Sequence, residues 1–215
     1  MIRLHDYWRS GAGYRVRIAL SLKRAGHARV AHDLRTGGQA DPAYALLNPQ
    51  RLVPALETGD GTITQSLAIL EWIEESWPEP PLLPAGRQAR AIVRSMAAII
   101  ACDIHPLHNL RVLNAVAPHL DADGVRGWIG HWMTEGLAAL ETLVARHGGA
   151  FAYGDSVSIA DCCLVPQFYS AERFGVRVDA FPRLSTAVAA ARAVPAIAAA
   201  HPDMQADAPP PERRR

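Results

Sequence analysis

The stretch from Asn48 to Glu71 constrains the fold of this chain most strongly. Val53-Pro54 stands just before a short apolar run, and Gly59 to Gly61 are typical of a turn between two short strands. Gln65-Ser66 then opens an amphipathic helix. The apolar positions of that helix are Leu67, Ile69, Leu70 and Ile73.

Two points in this stretch suit a ligand. Pro54 removes a donor from the head of its strand, and a cis Val53-Pro54 bond would let the Val53 amide and carbonyl pair with an extended peptide. Ser66 at a helix start leaves free N–H groups that favour a carboxylate. A peptide-like ligand with a free carboxylate fits both features. The alternative is a plain β-hairpin and a capped helix, which the local pattern alone favours.

The elements around this stretch predict an α/β domain. Strands are expected at 2–7 and 29–34, and helices at 14–25 and 42–47, with Gly26 as the C′ residue that ends the first helix. The order strand–helix–strand–helix–strand–strand–helix predicts a mixed sheet with helices on both faces.

After the proline-rich residues 77–84 the pattern becomes helical. Helices are expected at 87–117, broken near Pro106, at 122–147, at 158–174 and in shorter pieces near 182–200. Ser158-Ile159-Ala160-Asp161 is a capping box with Asp in place of Glu, which predicts the start of a buried helix.

Composition excludes several classes of protein. The net charge of +1 gives no reason to expect nucleic acid or an anionic membrane as partner. Lys23 is the one lysine among the 22 lysine and arginine residues. With so many arginines, a single one is weak evidence for a functional site. The three cysteines, Cys102 and the adjacent Cys162 and Cys163, form no disulfide framework and favour the cytoplasm. The first strand begins near the N-terminus, where a signal peptide would otherwise stand.

These features together resemble the zeta class of the glutathione transferase superfamily, which includes maleylacetoacetate and glutathione-dependent maleylpyruvate isomerases. The resemblance covers nearly the whole chain in order. The matching stretches are Arg9-Ser10-Gly11, Tyr14 to Leu20, Asn48-Pro49-Gln50, Leu52-Val53-Pro54, Gln65-Ser66, Asp103 to Leu107, Asn109-Leu110-Arg111, Ser158 to Asp161, Val165-Pro166-Gln167 and Ala171 to Phe174.

The resemblance implies a thioredoxin-like domain with a mixed four-stranded sheet over residues 1–83, a linker at 84–88 and a helical bundle over 89–207. Residues 208–215 form a proline- and arginine-rich tail that we expect to be disordered. It also implies a homodimer, a small dicarboxylate substrate and glutathione as cofactor, with no metal.

Site residues follow from the same resemblance. Ser10 is the expected catalytic residue, with Arg9, Arg111 and Arg173 binding the substrate, because arginine pairs with both oxygens of a carboxylate. The expected glutathione-binding residues are Gly11, Ala12, Gln39, Val53, Pro54, Gln65, Ser66, Asp103, His105 and Asn109. Arg15 and Arg17 are expected to face structural partners, and Tyr7 to be a packing residue.

The loop before the first helix departs from the zeta pattern Ser-Ser-Cys-Ser, because Gly11, Ala12 and Gly13 follow Ser10. A Ser-Gly start is closer to the maleylpyruvate isomerases. In such an isomerase a thiolate adds to a cis double bond, the resulting single bond rotates, and expulsion gives the trans product. A helix N-terminus and a serine hydroxyl would keep that thiol ionised. Ser10 would also serve as a helix cap, and the two roles are compatible.

The predicted function is therefore isomerisation of maleylpyruvate or maleylacetoacetate to the fumaryl compound in aromatic catabolism. The alternative is a glutathione transferase that conjugates or dehalogenates small electrophiles, or a non-catalytic glutathione-binding protein. A thioredoxin-like redox protein is excluded because the α/β domain has no cysteine. The run from Cys102 to His108 matches no strong zinc pattern, and Cys162 and Cys163 are expected in the core.

Overall fold

The computed structural model describes residues 1–210. Residues 211–215 of the expected tail lie outside the described residues. The described chain forms two compact units, one of residues 1–81 together with residues 194–210, the other of residues 82–193. No helix among the described residues combines the length and hydrophobicity needed to cross a membrane.

The first unit contains a four-stranded mixed sheet of β1 (Ile2–Asp6), β2 (His27–Ala31), β3 (Ala55–Thr58) and β4 (Gly61–Thr64), in the order β2-β1-β3-β4. β1 pairs parallel to β2 with Leu4 opposite Arg29, and antiparallel to β3 with Leu4 opposite Leu56. This confirms the predicted sheet. The helices of this unit are α1 (Gly11–Leu22), α2 (Pro42–Leu47), α3 (Ser66–Ser76) and, after the second unit, α9 (Pro195–Ala199).

The end of α1 corrects one sequence prediction. The helix ends at Leu22, and Arg24, not Gly26, occupies the left-handed position with φ 52°. The Arg24 N–H donates to the Ser21 carbonyl and the Ala25 N–H to the Leu20 carbonyl, which is the Schellman pattern. These two bonds compensate for a non-glycine residue at positive φ, so Gly26 is not the C′ residue.

The second unit is helical. Its elements are α4 (Arg87–Ala98), a π-helical segment (Ile99–Ile104), a 3₁₀ turn (His105–His108), α5 (Leu110–Val116), α6 (Ala122–His147), α7 (Ile159–Arg173) and α8 (Pro182–Arg192). The expected break near Pro106 is confirmed, because the α-helix stops at Ala98 and Pro106 lies in the 3₁₀ turn.

Two carboxylates cap the N-termini of α7 and α8. Asp161 forms the predicted capping box with Ser158, and its Oδ1 also accepts from the Ala152 N–H at 2.8 Å. Burial raises the pKa of Asp161 to about 6, against the hydrogen bonds, which lower it. Glu141 of α6 accepts from the backbone N–H groups of Arg183 and Leu184 at 2.9 Å each, which caps α8 from a neighbouring helix.

The C-terminal segment departs from the expected domain division. Residues 194–207 were expected in the helical domain, but α9 packs against α1 in the first unit. Arg17 of α1 donates to the Ala200 carbonyl at 3.1 Å, and Asp207 accepts from the Trp8 N–H at 3.0 Å. These long-range bonds have no local sequence signal. Likewise, α4 already begins at Arg87, inside the expected linker.

Candidate active site

Ser10 lies at the N-cap of α1, as the sequence predicts. Its Oγ accepts from the Gly13 N–H at 3.1 Å, and its backbone is extended. An oxygen that accepts this bond keeps its own O–H proton for a second partner. The N–H groups of the first turn and the positive end of the α1 dipole lie at the same place. Ser10 can therefore cap the helix and donate to an anion at once.

A buried carboxylate, that of Asp6, requires glycine at position 13. A Cβ at Gly13 would stand 1.6 Å from Asp6 Oδ1, so glycine is needed for this close approach. Asp6 is fully buried and forms an ion pair with Arg17, which also donates from Nη2 to the Trp8 carbonyl at 2.9 Å. Arg17 thus has structural partners, as expected. Gly11 is buried and Ala12 is half-buried at the start of the helix.

The backbone before Pro54 is held from α2. Tyr44 Oη and Asn48 Nδ2 both donate to the Leu52 carbonyl at 2.6 Å. The Val53-Pro54 bond is cis. Within residues 1–210 the Val53 N–H and C=O make no hydrogen bond, so both are open to a ligand. Desolvation raises the pKa of Tyr44 to about 12, which keeps its phenol a donor at physiological pH.

Ser66 begins α3 beside a buried cation. Its Oγ accepts from Arg15 Nη1 at 3.0 Å, and Arg15 itself is 2% exposed. Gln65 has φ 69° and donates from Nε2 to Gln50 Oε1 at 2.6 Å. The first N–H groups of α3 and the Arg15 guanidinium give this corner a positive potential, which fits a carboxylate. Arg15 was expected to have structural partners only, so its place beside Ser66 was missed.

Gln39, which lies between β2 and α2 in the sequence, supplies a further hydrogen-bond acceptor. Its Oε1 is buried and has no hydrogen-bond partner among the described residues. A buried amide oxygen without a partner is costly, and a ligand N–H would relieve that cost.

A row of side chains on the sheet adjoins Tyr44. Glu57 Oε1 lies 2.6 Å from His5 Nε2, and His5 Nδ1 lies 2.9 Å from His32 Nε2. A carboxylate can only accept, so His5 Nε2 donates to Glu57 Oε1. Desolvation is the larger cause that lowers the pKa of His32, and the nearby His5 lowers it further. The hydrogen bond from His5 lowers the pKa of Glu57. The His32 and Tyr44 ring centroids are 4.2 Å apart.

The second unit carries the other expected residues around the π-helical segment and the 3₁₀ turn. Asp103 is exposed, His105 is half-buried, and the His105 and His108 ring centroids are 5.1 Å apart. Asn109 is the N-cap of α5, with Oδ1 accepting from the Val112 N–H at 3.1 Å. Oδ1 can accept one further hydrogen bond, and the side-chain NH₂ can donate.

Two arginines of this unit and one of the first were expected to bind substrate. Arg111 is exposed on α5, and Arg173 ends α7 with its Cζ 4.4 Å from the Phe174 ring centroid. In the first unit the Arg9 Cζ lies 5.3 Å from the Trp8 ring centroid. A guanidinium can stack on an aromatic face and can pair with both oxygens of a carboxylate.

Tyr7, Cys162 and Cys163 are core residues. Tyr7 is buried, as expected of packing, although its hydroxyl has no hydrogen-bond partner among residues 1–210. Cys162 and Cys163 are buried in α7, and Cys102 is exposed in the π-helical segment. Among the described residues no group of three or more His, Cys, Asp or Glu side chains is placed to hold a metal ion.

The sequence matches two family models. Residues 10–76 match the glutathione S-transferase N-terminal domain, and residues 128–200 match the glutathione S-transferase C-terminal domain. The chain therefore belongs to the glutathione S-transferase family.

Individual relatives indicate the branch of that family. The chain is 48% identical to a maleylacetoacetate isomerase of Pseudomonas aeruginosa over 97% of this chain and 99% of that one. It is similar to the holo structure of a maleyl pyruvate isomerase described as a bacterial zeta-class glutathione S-transferase, with a TM-score of 0.93 and 41% identity over 96% and 100% of the two chains. The maleylacetoacetate isomerase of Anaeromyxobacter dehalogenans, solved with glutathione in its active site, has a TM-score of 0.90 and 41% identity over 97% and 98%. The zeta-class resemblance is confirmed.

Proposed function

We propose that this protein is a glutathione-dependent cis–trans isomerase that converts maleylpyruvate or maleylacetoacetate to the fumaryl isomer. The observation that carries the proposal is the 48% identity, over almost the full length of both chains, to a protein named maleylacetoacetate isomerase. The geometry at Ser10, Val53 and Ser66 supports a glutathione site, and relatives with the same fold have been solved with that ligand.

Bound glutathione supplies a sulfur nucleophile for reversible addition to the double bond. The chain's part is to keep that sulfur ionised. Ser10 donates its free O–H proton toward the sulfur while its oxygen accepts from Gly13. The N-terminal N–H groups of α1 add a positive potential. Gly11 and Ala12 leave room for close approach of the ligand to the backbone.

The peptide part of glutathione is proposed to lie along the first unit. Val53 pairs with the ligand backbone next to Pro54, and Gln39 Oε1 accepts from a ligand N–H. Ser66, Gln65 and Arg15 hold a ligand carboxylate at the N-terminus of α3. The glutathione-binding domain would then be the first unit, and residues 82–193 would form the helical domain.

The substrate is a dianion, and arginine is suited to it. We assign Arg9, Arg111 and Arg173 to its carboxylates, and Asp103, His105 and Asn109 to additional contacts with glutathione. Asn109 can contribute through its side-chain NH₂ while its Oδ1 caps α5. The protein is further proposed to work as a homodimer in the cytoplasm, which light scattering and cell fractionation would test.

The experiment is an isomerase assay on the purified protein. With glutathione present, maleylpyruvate or maleylacetoacetate should give the fumaryl compound, followed by its ultraviolet spectrum, at a rate above glutathione alone. A protein that binds glutathione but accelerates neither isomerisation would contradict the proposal. Conjugation of a model electrophile by that same preparation would then support the transferase alternative.

A further inference from the structure

The loop that carries Arg9 and Ser10 is held at Trp8 from two sides. The Trp8 N–H donates to Asp207 Oδ2 at 3.0 Å, and the Trp8 carbonyl accepts from Arg17 Nη2 at 2.9 Å. Within the loop the Ser10 N–H donates to the Tyr7 carbonyl at 2.9 Å. Both backbone polar groups of Trp8 are thus fixed by elements outside the loop, and Asp207 lies 199 residues further along the chain.

Asp207 also belongs to a charge network that reaches the buried floor of this loop. Its Oδ1 lies 2.8 Å from Arg29 Nη2, and Arg29 Nε lies 3.4 Å from Asp6 Oδ2. Arg17 pairs with the same Asp6 oxygen. The four side chains are between 0% and 21% exposed, and two cations balance two anions. Removing one member of such a network leaves the opposite charge partly buried without its partner.

The segment that carries Asp207 is itself anchored. α9 packs on α1, and Arg17 Nε donates to the Ala200 carbonyl at 3.1 Å. Gln205 Nε2 donates to the His201 carbonyl at 2.9 Å, and the Ala208 N–H donates to the Gln205 carbonyl at 2.9 Å. Asp207 is therefore presented to Trp8 by an ordered turn, since the backbone is hydrogen-bonded on both sides of it.

We propose that Asp207 is a positioning residue for the glutathione site. By holding the Trp8 N–H and Arg29 together, it fixes the loop so that the Ser10 hydroxyl meets the sulfur of the ligand. The inference rests on the proposed role of Ser10 in holding that sulfur. It extends the site to a carboxylate near the C-terminus that touches neither the ligand nor the substrate.

The test compares Asp207→Ala and Asp207→Asn with a control that lacks residues 211–215 and keeps Asp207. Three quantities are measured: amide hydrogen exchange of residues 7–10, the dissociation constant for glutathione, and the pKa of the bound thiol from its thiolate absorbance. Asp207→Ala should exchange faster at residues 7–10, raise the bound-thiol pKa and weaken glutathione binding about tenfold, because a charge-assisted hydrogen bond is lost. The control should match the wild type.

Asp207→Asn keeps an oxygen for the Trp8 N–H but removes the charge that pairs with Arg29, so its values should fall between those of the wild type and Asp207→Ala. If Asp207→Ala does not fold, Asp207→Asn decides the matter. A folded variant with wild-type thiol pKa and wild-type affinity would overturn the proposal, whatever its exchange rate. If the wild type binds glutathione without ionising its thiol, the proposed function is wrong at Ser10. Amide hydrogen exchange of residues 7–10 then still shows whether Asp207 orders the loop.

Discussion

Arg15 donates from Nη1 to the Ser66 hydroxyl across 3.0 Å, and both side chains are buried in the first unit. This bond joins α1, which carries the Ser10 cap, to α3, whose N-terminus suits a carboxylate. A buried guanidinium next to free helix N–H groups gives a stronger anion site than either feature alone. The hydrogen bond therefore links the part of the proposed glutathione site that holds the sulfur, at Ser10, to the part that holds a carboxylate, at Ser66.

Arg15→Lys tests this corner. Lysine keeps the charge but lacks the planar fork, so glutathione affinity should fall about tenfold from the loss of one charge-assisted hydrogen bond. Calorimetric titration gives the dissociation constant, and Arg146→Lys, at an exposed position of α6, is the control. An unchanged affinity in a folded Arg15→Lys protein would exclude Arg15 from the site.

Tyr44→Phe tests the support of the backbone before Pro54. The change removes one of two donors to the Leu52 carbonyl and leaves Asn48 as the other. The free energy of unfolding should fall by about 0.5–1.5 kcal/mol, and glutathione affinity should fall several-fold. Denaturant unfolding and ligand titration measure the two effects. Tyr153→Phe, in the second unit, should change neither; equal losses in both variants would refute a local role for Tyr44.

Much of the fold follows from local sequence signals. The Ser158-to-Asp161 box and the bounds of α6 were predicted correctly because caps and apolar spacing act within a few residues. The end of α1 was predicted wrongly, because the Ala25-to-Leu20 bond, rather than a glycine, fixes its Schellman turn. Arg15 and Asp207 could not be placed, since their partners lie 51 and 199 residues away in sequence. Such contacts depend on tertiary packing, which periodicity does not report.

His32 gives a pH prediction. Its pKa in the folded protein lies below the ordinary value of 6.5, because burial and His5 disfavour the charged ring. The unfolded chain then binds more protons, so this contribution to stability is present above pH 6.5 and is lost as the pH falls through the folded-state pKa. Stability of His32→Gln, measured by denaturant unfolding across this range, should therefore depend less on pH than that of the wild type.

His131→Gln, at an exposed position of α6, controls for the loss of an imidazole. Its profile should follow the wild type. If His32→Gln keeps the full wild-type loss of stability below pH 6.5, the titration belongs to another group.

Gly136 of α6 permits close packing on the π-helical segment of the second unit. A Cβ there would lie 2.3 Å from Ile104 Cγ1, whereas a Cβ at Gly127 of the same helix meets nothing within 4 Å. Gly136→Ala should destabilise the fold by about 1–3 kcal/mol through overpacking. Gly127→Ala should stabilise it by about 0.5–1 kcal/mol through helix propensity. Thermal unfolding compares the pair, and a Gly136→Ala protein as stable as Gly127→Ala would show that the contact is not limiting.

The hydroxyl of Ser10 is the group proposed to hold the sulfur of glutathione. Ser10→Ala removes both the proposed donor to sulfur and a helix cap, which costs about 1 kcal/mol of stability. Asp121→Ala removes the corresponding cap from α6, where Asp121 accepts from the Gly124 N–H at 2.7 Å, and so controls for stability.

The most direct measurement is a pH titration of the thiolate absorbance of bound glutathione in the wild type and these two variants. Wild type and Asp121→Ala should ionise the thiol well below its ordinary pKa of about 8.5, and Ser10→Ala should return the pKa toward that value. A folded Ser10→Ala protein that binds glutathione with the wild-type thiol pKa would contradict the account.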